Sequence, residues 1–154
     1  MRSEKIFLLR CLGEDVESVF QAKGIPFSYN RSRLTGEGTV TFEEYKLPLI
    51  VSIDQMTSIL TMTLGLPVEF PPSGEATAAQ AITLVNNRVA AGCCRMRDGL
   101  VSFRVSTFFR DSRLSIPALT GMLDYCLASQ TFLLTPLRRL AAGELTLEQF
   151  SKLL

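Results

Sequence analysis

Apolar residues near the N-terminus recur at steps of three and four, which is the period of one buried helical face. The pattern predicts a first helix over residues 3–23, ended by Gly24 and kept from continuing by Pro26. Gly13 interrupts the middle of this helix, so the sequence leaves its continuity open. The positions on the predicted buried face are Ile6, Leu9, Leu12, Val16, Val19 and Phe20.

The pattern then changes to alternation, which is typical of strands with one buried face. Two short strands are predicted over residues 25–33 and 39–45, on either side of Gly36-Glu37-Gly38. Since glycine adopts positive φ readily, these three residues predict a turn. A phosphate-binding loop is disfavoured, because no helix start follows the glycines.

A stronger strand pair is predicted over residues 47–53 and 59–66. Pairing Ile53 with Leu60 places all the large apolar residues of both strands on one side of the sheet. The loop between them, residues 55–58, has an ordinary hairpin length. The six residues on the predicted core side are Leu49, Val51, Ile53, Leu60, Met62 and Leu64.

Residues 93–109 predict a second hairpin, because Asp98-Gly99 between two alternating runs suits a two-residue turn with positive φ at both positions. Such a turn predicts that Arg97 lies opposite Leu100 and that Cys94 lies opposite Phe103. The register sorts the residues to two faces. We expect Cys94, Met96, Val101, Phe103, Val105 and Phe109 on the core side, and Cys93, Arg95, Arg97, Ser102, Arg104, Ser106 and Phe108 on the outer side.

The remaining segments predict helices. Residues 77–80 fit a capping box, so we expect the second helix to start near Thr77 and to close at Gly92. Ser115 is the predicted cap of a third helix that runs to about Leu134.

Pro136 then begins a short further turn or helix that Gly143 stops, and residues 146–149 repeat the capping-box pattern before a last short helix. The order is α-β-β-β-α-β-β-α plus a short C-terminal helix. We therefore predict one α+β domain over residues 1–154, a mostly antiparallel sheet of about five strands with helices packed on one face.

Composition fits a folded globular protein, since 47% of residues are hydrophobic and 20% are charged. The formal net charge of +1 provides no global field that would favour nucleic acid or acidic lipid. Arg10 interrupts the first apolar run, so we expect no signal peptide and no membrane segment, and a cytoplasmic location.

Few residues suit catalysis or metal binding. The chain contains no histidine, which removes the common imidazole bases and ligands. Cys93 and Cys94 are adjacent on a predicted strand and point to opposite faces, so they cannot jointly hold a metal without distortion. We assign no catalytic, cofactor-binding or metal-ligating residue, and we expect a non-enzymatic protein.

The second half of the chain resembles a known family, most clearly from about Ala78 to Leu154. The residues are Asn86-Asn87-Arg88-Val89-Ala90-Ala91-Gly92, a strand, Asp98-Gly99, a second strand, and then Leu114-Ser115 opening an amphipathic helix. This pattern is similar to the YbjN-type bacterial proteins, which are often described as sensory-transduction regulators.

The fold of that family resembles that of the type III secretion chaperones, small α+β proteins that commonly form dimers. The resemblance implies an intracellular, non-enzymatic protein that works by binding another protein, and a homodimer. The family pattern places an asparagine at Asn86, where a hydrogen bond to neighbouring backbone explains it as well as a binding role does.

Two functions follow as hypotheses. The first is a chaperone-like or regulatory module that holds an extended segment of a protein partner on a sheet face, an edge strand or a dimer groove. The second is binding of nucleic acid or an acidic ligand through an interaction surface formed by Arg95, Arg97, Arg104 and Phe108. Nucleic acid is the less expected partner, because Phe108 is the only stacking aromatic on that face.

Overall fold

The computed structural model describes residues 2–111 and 113–154, with side chains from Phe7 onwards, so the predicted apolar position Ile6 lies outside the described side chains. The described chain forms six strands and four α-helices, together with a short 3-10 turn at Pro72–Gly74. In chain order the elements are α1 (Arg2–Ala22), β1 (Phe27–Asn30), β2 (Thr35–Phe42), β3 (Tyr45–Asp54), β4 (Ile59–Glu69), α2 (Glu75–Asn86), β5 (Cys93–Arg97), β6 (Leu100–Phe108), α3 (Ile116–Ala141) and α4 (Leu147–Leu153).

All six strands join one antiparallel sheet in the order β1-β2-β3-β4-β6-β5. The predicted α+β class is confirmed. The predicted count of about five strands is too low, because four strands rather than three precede α2: the short strand β1 pairs with β2 along its whole length. The two edges of the sheet are therefore β1 and β5.

Both predicted hairpin registers are confirmed. Ile53 pairs with Leu60, and Cys94 pairs with Phe103 across a turn in which Asp98 has φ 51° and Gly99 has φ 79°. The large apolar residues of β3, β4 and β6 are consequently buried on one face, which we call the inner face. Helices α1 and α3 pack on the inner face, whereas α2 lies along the edge strand β5 and contacts α4.

The predicted turn at Gly36-Glu37-Gly38 is wrong, because these residues lie inside β2. The chain instead turns at residues 31–34, where the Asn30 side-chain oxygen accepts hydrogen bonds from the backbone N–H groups of Ser32 and Arg33. The two glycines instead leave room for neighbouring groups on β1 and just before it. A Cβ at Gly36 would overlap the ring of Phe27 on the neighbouring strand.

Helix α1 is continuous through Gly13, which settles the question that the sequence left open. The predicted break before Pro136 is wrong, since α3 continues through this proline to Ala141. Buried Leu137 and Leu140 extend the apolar face of the helix beyond the proline. Arg138 also stacks over the ring of Tyr45 on β3, 4.7 Å from its centroid. These contacts offset the loss of one helical hydrogen bond.

The predicted caps have mixed outcomes. Ser115 caps α3 by accepting a hydrogen bond from the N–H of Ala118, and Thr146 forms the predicted capping box with Gln149. The capping box predicted at Thr77 is wrong, because α2 begins at Glu75 after a glycine that makes no side-chain cap. The 3-10 turn at Pro72–Gly74 ends where that helix begins. The backbone N–H of Glu75, the first residue of the helix, donates to the carbonyl of Pro72.

Gly13 tests how β1 is held on α1, because a Cβ at this position would overlap the ring of Tyr29. We expect Gly13→Ala to lower the free energy of unfolding by about 1–3 kcal/mol through overpacking, although alanine is the better helix former. Gly121→Ala is the matched control. This glycine also lies within a helix but has open space around its Cβ position, so alanine should stabilise by up to about 1 kcal/mol. Equal stabilisation of both variants in urea unfolding would contradict the packing of Tyr29 on α1.

Candidate interaction surface

The face of the sheet opposite the inner face, which we call the outer face, is left uncovered by the four helices of the described chain. One continuous row of directly paired residues crosses all six strands on this face. We call it the outer row. Its members, from β1 to β5, are Ser28, Glu37, Ile50, Thr63, Arg104 and Cys93.

The three arginines of the predicted surface share the outer side of the β5–β6 hairpin, as a loose cluster that spans about 13 Å along the strands from Arg104 to Arg97. Arg95 pairs with Ser102 and Arg97 with Leu100, so both side chains are on β5, while Arg104 is on the adjacent β6. Arg95 and Arg97 are exposed, and Arg104 is half-buried.

Arg97 lies 3.6 Å from the carboxylate of Asp98, but both side chains are about nine-tenths exposed (94% and 89%). An ion pair in that setting adds little stability. The arginines are therefore available to a partner.

Phe108 is not part of this cluster. Its side chain is 75% exposed, and it lies four residues along β6 from Arg104, opposite Ile59. At the rise of an antiparallel strand that separation is about 13 Å. The predicted surface is therefore spread along the hairpin, with Arg97 about 13 Å to one side of Arg104 and Phe108 about 13 Å to the other.

At the edge strand β5, the side chain of Asn86 bonds the outward backbone groups of Cys94. The sequence had left the role of Asn86 open between such a bond and binding of a partner. The backbone N–H of Cys94 donates to Oδ1 of Asn86 at 2.6 Å, and Nδ2 of Asn86 donates to the carbonyl of Cys94 at 3.0 Å. The amide of Asn86 thus takes the place of a peptide group of a neighbouring strand. Its role is to satisfy the outward backbone groups of Cys94 at the β5 edge, which favours the backbone-bonding explanation over a binding role.

The edge strand β1 has no such cover among the described residues. The N–H of Thr39 donates to the carbonyl of Pro26 at 3.2 Å, and this bond sets the alternation of the β1–β2 ladder. The alternation directs the backbone groups of Ser28 and Asn30 towards β2. The N–H and carbonyl groups of Phe27 and Tyr29 therefore point away from the sheet.

Strand β1 is nevertheless held firmly at its inner side. The ring of Tyr29 packs against Gly13 of α1, and Arg31 just beyond the strand pairs with Glu14 of α1 at 3.1 Å. Burial raises the pKa of Tyr29 to about 12, and the charge of Glu17 adds to the shift. These contacts fix the position of β1 against α1, while the outward backbone groups of the strand stay unpaired.

Burial also suppresses the reactivity of the two cysteines in the core. It raises the pKa of both Cys94 and Cys126 to about 12, so these thiols are protonated at neutral pH and are poor nucleophiles. Within residues 2–111 and 113–154, no group of three or more cysteine, aspartate or glutamate side chains could hold a metal ion. No helix of that part of the chain is long and apolar enough to span a membrane.

The edge role of Asn86 predicts a measurable loss of stability. Asn86→Ala leaves the N–H and carbonyl of Cys94 without their partner, so we expect the free energy of unfolding to fall by about 1–3 kcal/mol. Asn87→Ala is the matched control, because the neighbouring asparagine makes no side-chain hydrogen bond within the described residues and should change stability by less than about 0.5 kcal/mol. Urea unfolding measures both, and an equally small effect of the two substitutions would refute the edge role.

Comparison with known proteins identifies structural neighbours but no sequence relatives. No family model matches the chain, and no curated protein matches it, so membership of the YbjN-type family stays a prediction. The chain is similar to a chain of the HopA1-SchA chaperone-effector complex, with a TM-score of 0.54 and 16% sequence identity over 90% of this chain and 98% of that one.

A second similar structure is the Yersinia pestis type III secretion chaperone SycH in complex with a stable fragment of YscM2. Here the TM-score is 0.50 and the identity 12%, over 80% of this chain and 99% of the matched chain. At such identities the likeness concerns the fold. The chain has the α+β fold found in structures of type III secretion chaperones.

Proposed function

We propose that the protein is a chaperone-like binding module that holds an extended segment of a protein partner as an additional strand along β1. The observation that carries the proposal is the difference between the two edges of the sheet. Of the two outward-facing residues of β5, Cys94 is paired by Asn86, whereas both outward-facing residues of β1, Phe27 and Tyr29, have no backbone partner among the described residues.

The chemistry of the β1 edge suits an extended peptide better than a folded surface. Two outward residues offer two N–H donors and two carbonyl acceptors, which is the pattern that strand addition uses. Ile25, Phe27 and Tyr29 are only partly buried against the core, so alternate side chains of an added strand would meet apolar surface beside α1. Backbone bonds would supply affinity, and these flanking side chains would supply preference for apolar residues at alternate positions.

The structural neighbours support the proposal without carrying it. Both neighbouring structures contain a chaperone together with a protein partner, an effector in one and a fragment of YscM2 in the other. Their likeness to this chain concerns the fold, so the edge geometry carries the function. The homodimer expected from the family resemblance and the cytoplasmic location expected from the sequence belong to the same proposal, as does a regulatory rather than catalytic role.

Binding of nucleic acid is the alternative, and the outer face supports it less well. Arg95, Arg97 and Arg104 do share the outer side of one hairpin, but Phe108 lies about 13 Å along β6 from Arg104, on the side away from Arg95 and Arg97. Proteins that bind single strands interleave aromatic residues with their cations. Binding of mixed oligonucleotides by the wild-type chain at low salt would decide in favour of this alternative.

The edge proposal can be tested by removing a single outward donor. Tyr29→Pro removes the outward N–H at the centre of the edge, and proline is tolerated on an edge strand when its nitrogen faces solvent. Tyr29→Ala is the matched control, because it loses the same ring but keeps the donor. We expect the tagged wild type and Tyr29→Ala to recover the same protein from a lysate, and Tyr29→Pro to bind that purified partner about tenfold more weakly or worse.

Equal binding by the two variants would refute strand addition at β1, as would failure of the wild type to recover any specific protein. Urea unfolding of both variants verifies that they are equally folded. If the proline variant does not fold, amide exchange of the wild type decides instead. The bound partner must then slow exchange of the amides of Phe27 and Tyr29.

A further inference from the structure

Two residues of the outer row carry opposite charges that are not paired within the molecule. Glu37 is exposed on β2 and Arg104 is half-buried on β6, and neither forms a salt bridge within the described part of the chain. Nε of Arg104 is buried and has no hydrogen-bond partner there. The terminal nitrogens of Arg104 are not among the buried unpartnered atoms of the described chain, so they are the ones that a carboxylate of a partner can reach.

The spacing of these two charges is symmetric about the middle of the sheet. Along the outer row, Glu37 is followed by Ile50 on β3, Thr63 on β4 and Arg104 on β6. At about 4.8 Å per strand, Glu37 and Arg104 are about 14 Å apart. The midpoint falls between Ile50 and Thr63.

We propose that the outer face binds the outer face of a second copy of this chain, around a two-fold axis that runs parallel to the strands between β3 and β4. This rotation exchanges β2 with β6 and β3 with β4. Glu37 of each copy then lies opposite Arg104 of the other, and Ile50 lies opposite Thr63. The result is a closed, isologous contact.

Charge selects this axis over the other simple arrangement. A two-fold axis along the outer row would place Glu37 against Glu37 and Arg104 against Arg104, and like charges in contact are strongly unfavourable. The axis parallel to the strands also keeps the strands of the two sheets roughly aligned. That is the usual arrangement of two sheets that pack face to face.

The surroundings of the outer row allow two sheets to approach. The adjacent row consists of Thr35, Ser52, Thr61 and Ser106, all of them small. On the other side of the outer row, Gly65 pairs with Ser102. Small side chains permit the separation of about 10 Å at which sheets pack.

A shallow groove next to Ile50 would receive the arginine of the second copy. Its volume is about 660 Å³, and it is lined by residues of β1, β2 and β3. Glu37 is the only charged residue that lines it, and no cation of the described chain occupies it. Ile50, which is 47% exposed, forms one wall and would become buried in the contact.

This contact deepens the proposed function, since it assigns a surface to the homodimer, but it does not use the peptide-binding edge. The outward groups of Phe27 and Tyr29 lie in the plane of the sheet, so a dimer joined through the outer faces keeps two open β1 edges. The two proposals can therefore fail separately. A monomeric variant should still bind the partner recovered by the wild type.

Charge reversal tests the contact in the full-length chain. We expect the wild type to dimerise with rising concentration in analytical ultracentrifugation, and Glu37→Arg or Arg104→Glu alone to weaken the dimer at least tenfold. The double variant Glu37→Arg/Arg104→Glu restores an opposite-charge pair at each contact, so we expect its dimerisation to return to within about threefold of the wild type. Arg10→Glu is the control, because it reverses an exposed charge on α1, which packs on the inner face, and it should leave dimerisation unchanged.

Three results would overturn the proposal. The first is a wild type that stays monomeric at every concentration. The second is a dimer that neither single charge reversal weakens, which would place the contact on another surface. The third is a double variant as weak as the single variants, since loss without restoration means that the two residues do not meet. Urea unfolding of each variant separates these results from a loss of folding.

Discussion

Burial of one face of the six-stranded sheet is the constraint on which the rest of the structure depends. Side chains along a strand alternate between faces, so the register that buries Phe103 also places Arg104 outside. A slip of one residue would exchange the two. Each large core side chain contributes about 1.5–3 kcal/mol when it is buried, which makes such a slip prohibitive across several strands. The composition of the outer face is therefore a direct consequence of the packing of the inner face.

An open sheet also has two edges, and the outward backbone groups at these two edges are bonded to different extents. At β5 the chain supplies its own cover, because α2 lies alongside and Asn86 bonds both backbone groups of Cys94. At β1 the chain fixes the strand from the inner side through Tyr29 and Gly13 but leaves the outward backbone groups bare. Natural proteins often protect an edge by keeping it short, and β1 has only four residues, but its outward backbone groups are still unpaired within the described chain.

Local chemistry explains what the sequence predicted correctly. Asp98-Gly99 specifies its turn from two adjacent residues, and the β5–β6 register follows from it. The same is true of the caps at Ser115 and Thr146, which need only the next three residues.

The predictions that were wrong concern positions where contacts with residues distant in sequence determine the local structure. Gly36 and Gly38 signal a turn locally, but in the structure Gly36 makes room for the ring of Phe27 on another strand. Pro136 signals a helix end, but the buried Leu137 and Leu140 carry the helix onward.

The candidate site was predicted only in part for the same reason. The three arginines share a hairpin, so their grouping follows from one local register. The position of Phe108 relative to them depends on how far β6 extends beyond the end of β5, which no short pattern shows. The sequence left two roles open for Asn86, because its pairing with Cys94 joins a helix to an edge strand and exists only in the fold.

The central claim is that Asn86 pairs the backbone of Cys94 at the β5 edge while both outward-facing residues of β1 are unpaired, and amide hydrogen exchange of the wild-type chain without a partner tests it most directly. The account predicts slow exchange of the Cys94 amide, because Asn86 accepts its hydrogen bond. It predicts fast exchange of the amides of Phe27 and Tyr29, which point outward although Ser28 between them is bonded into the sheet. Protection of Phe27 and Tyr29 equal to that of Cys94 would mean that the chain already covers its β1 edge, and would contradict the account.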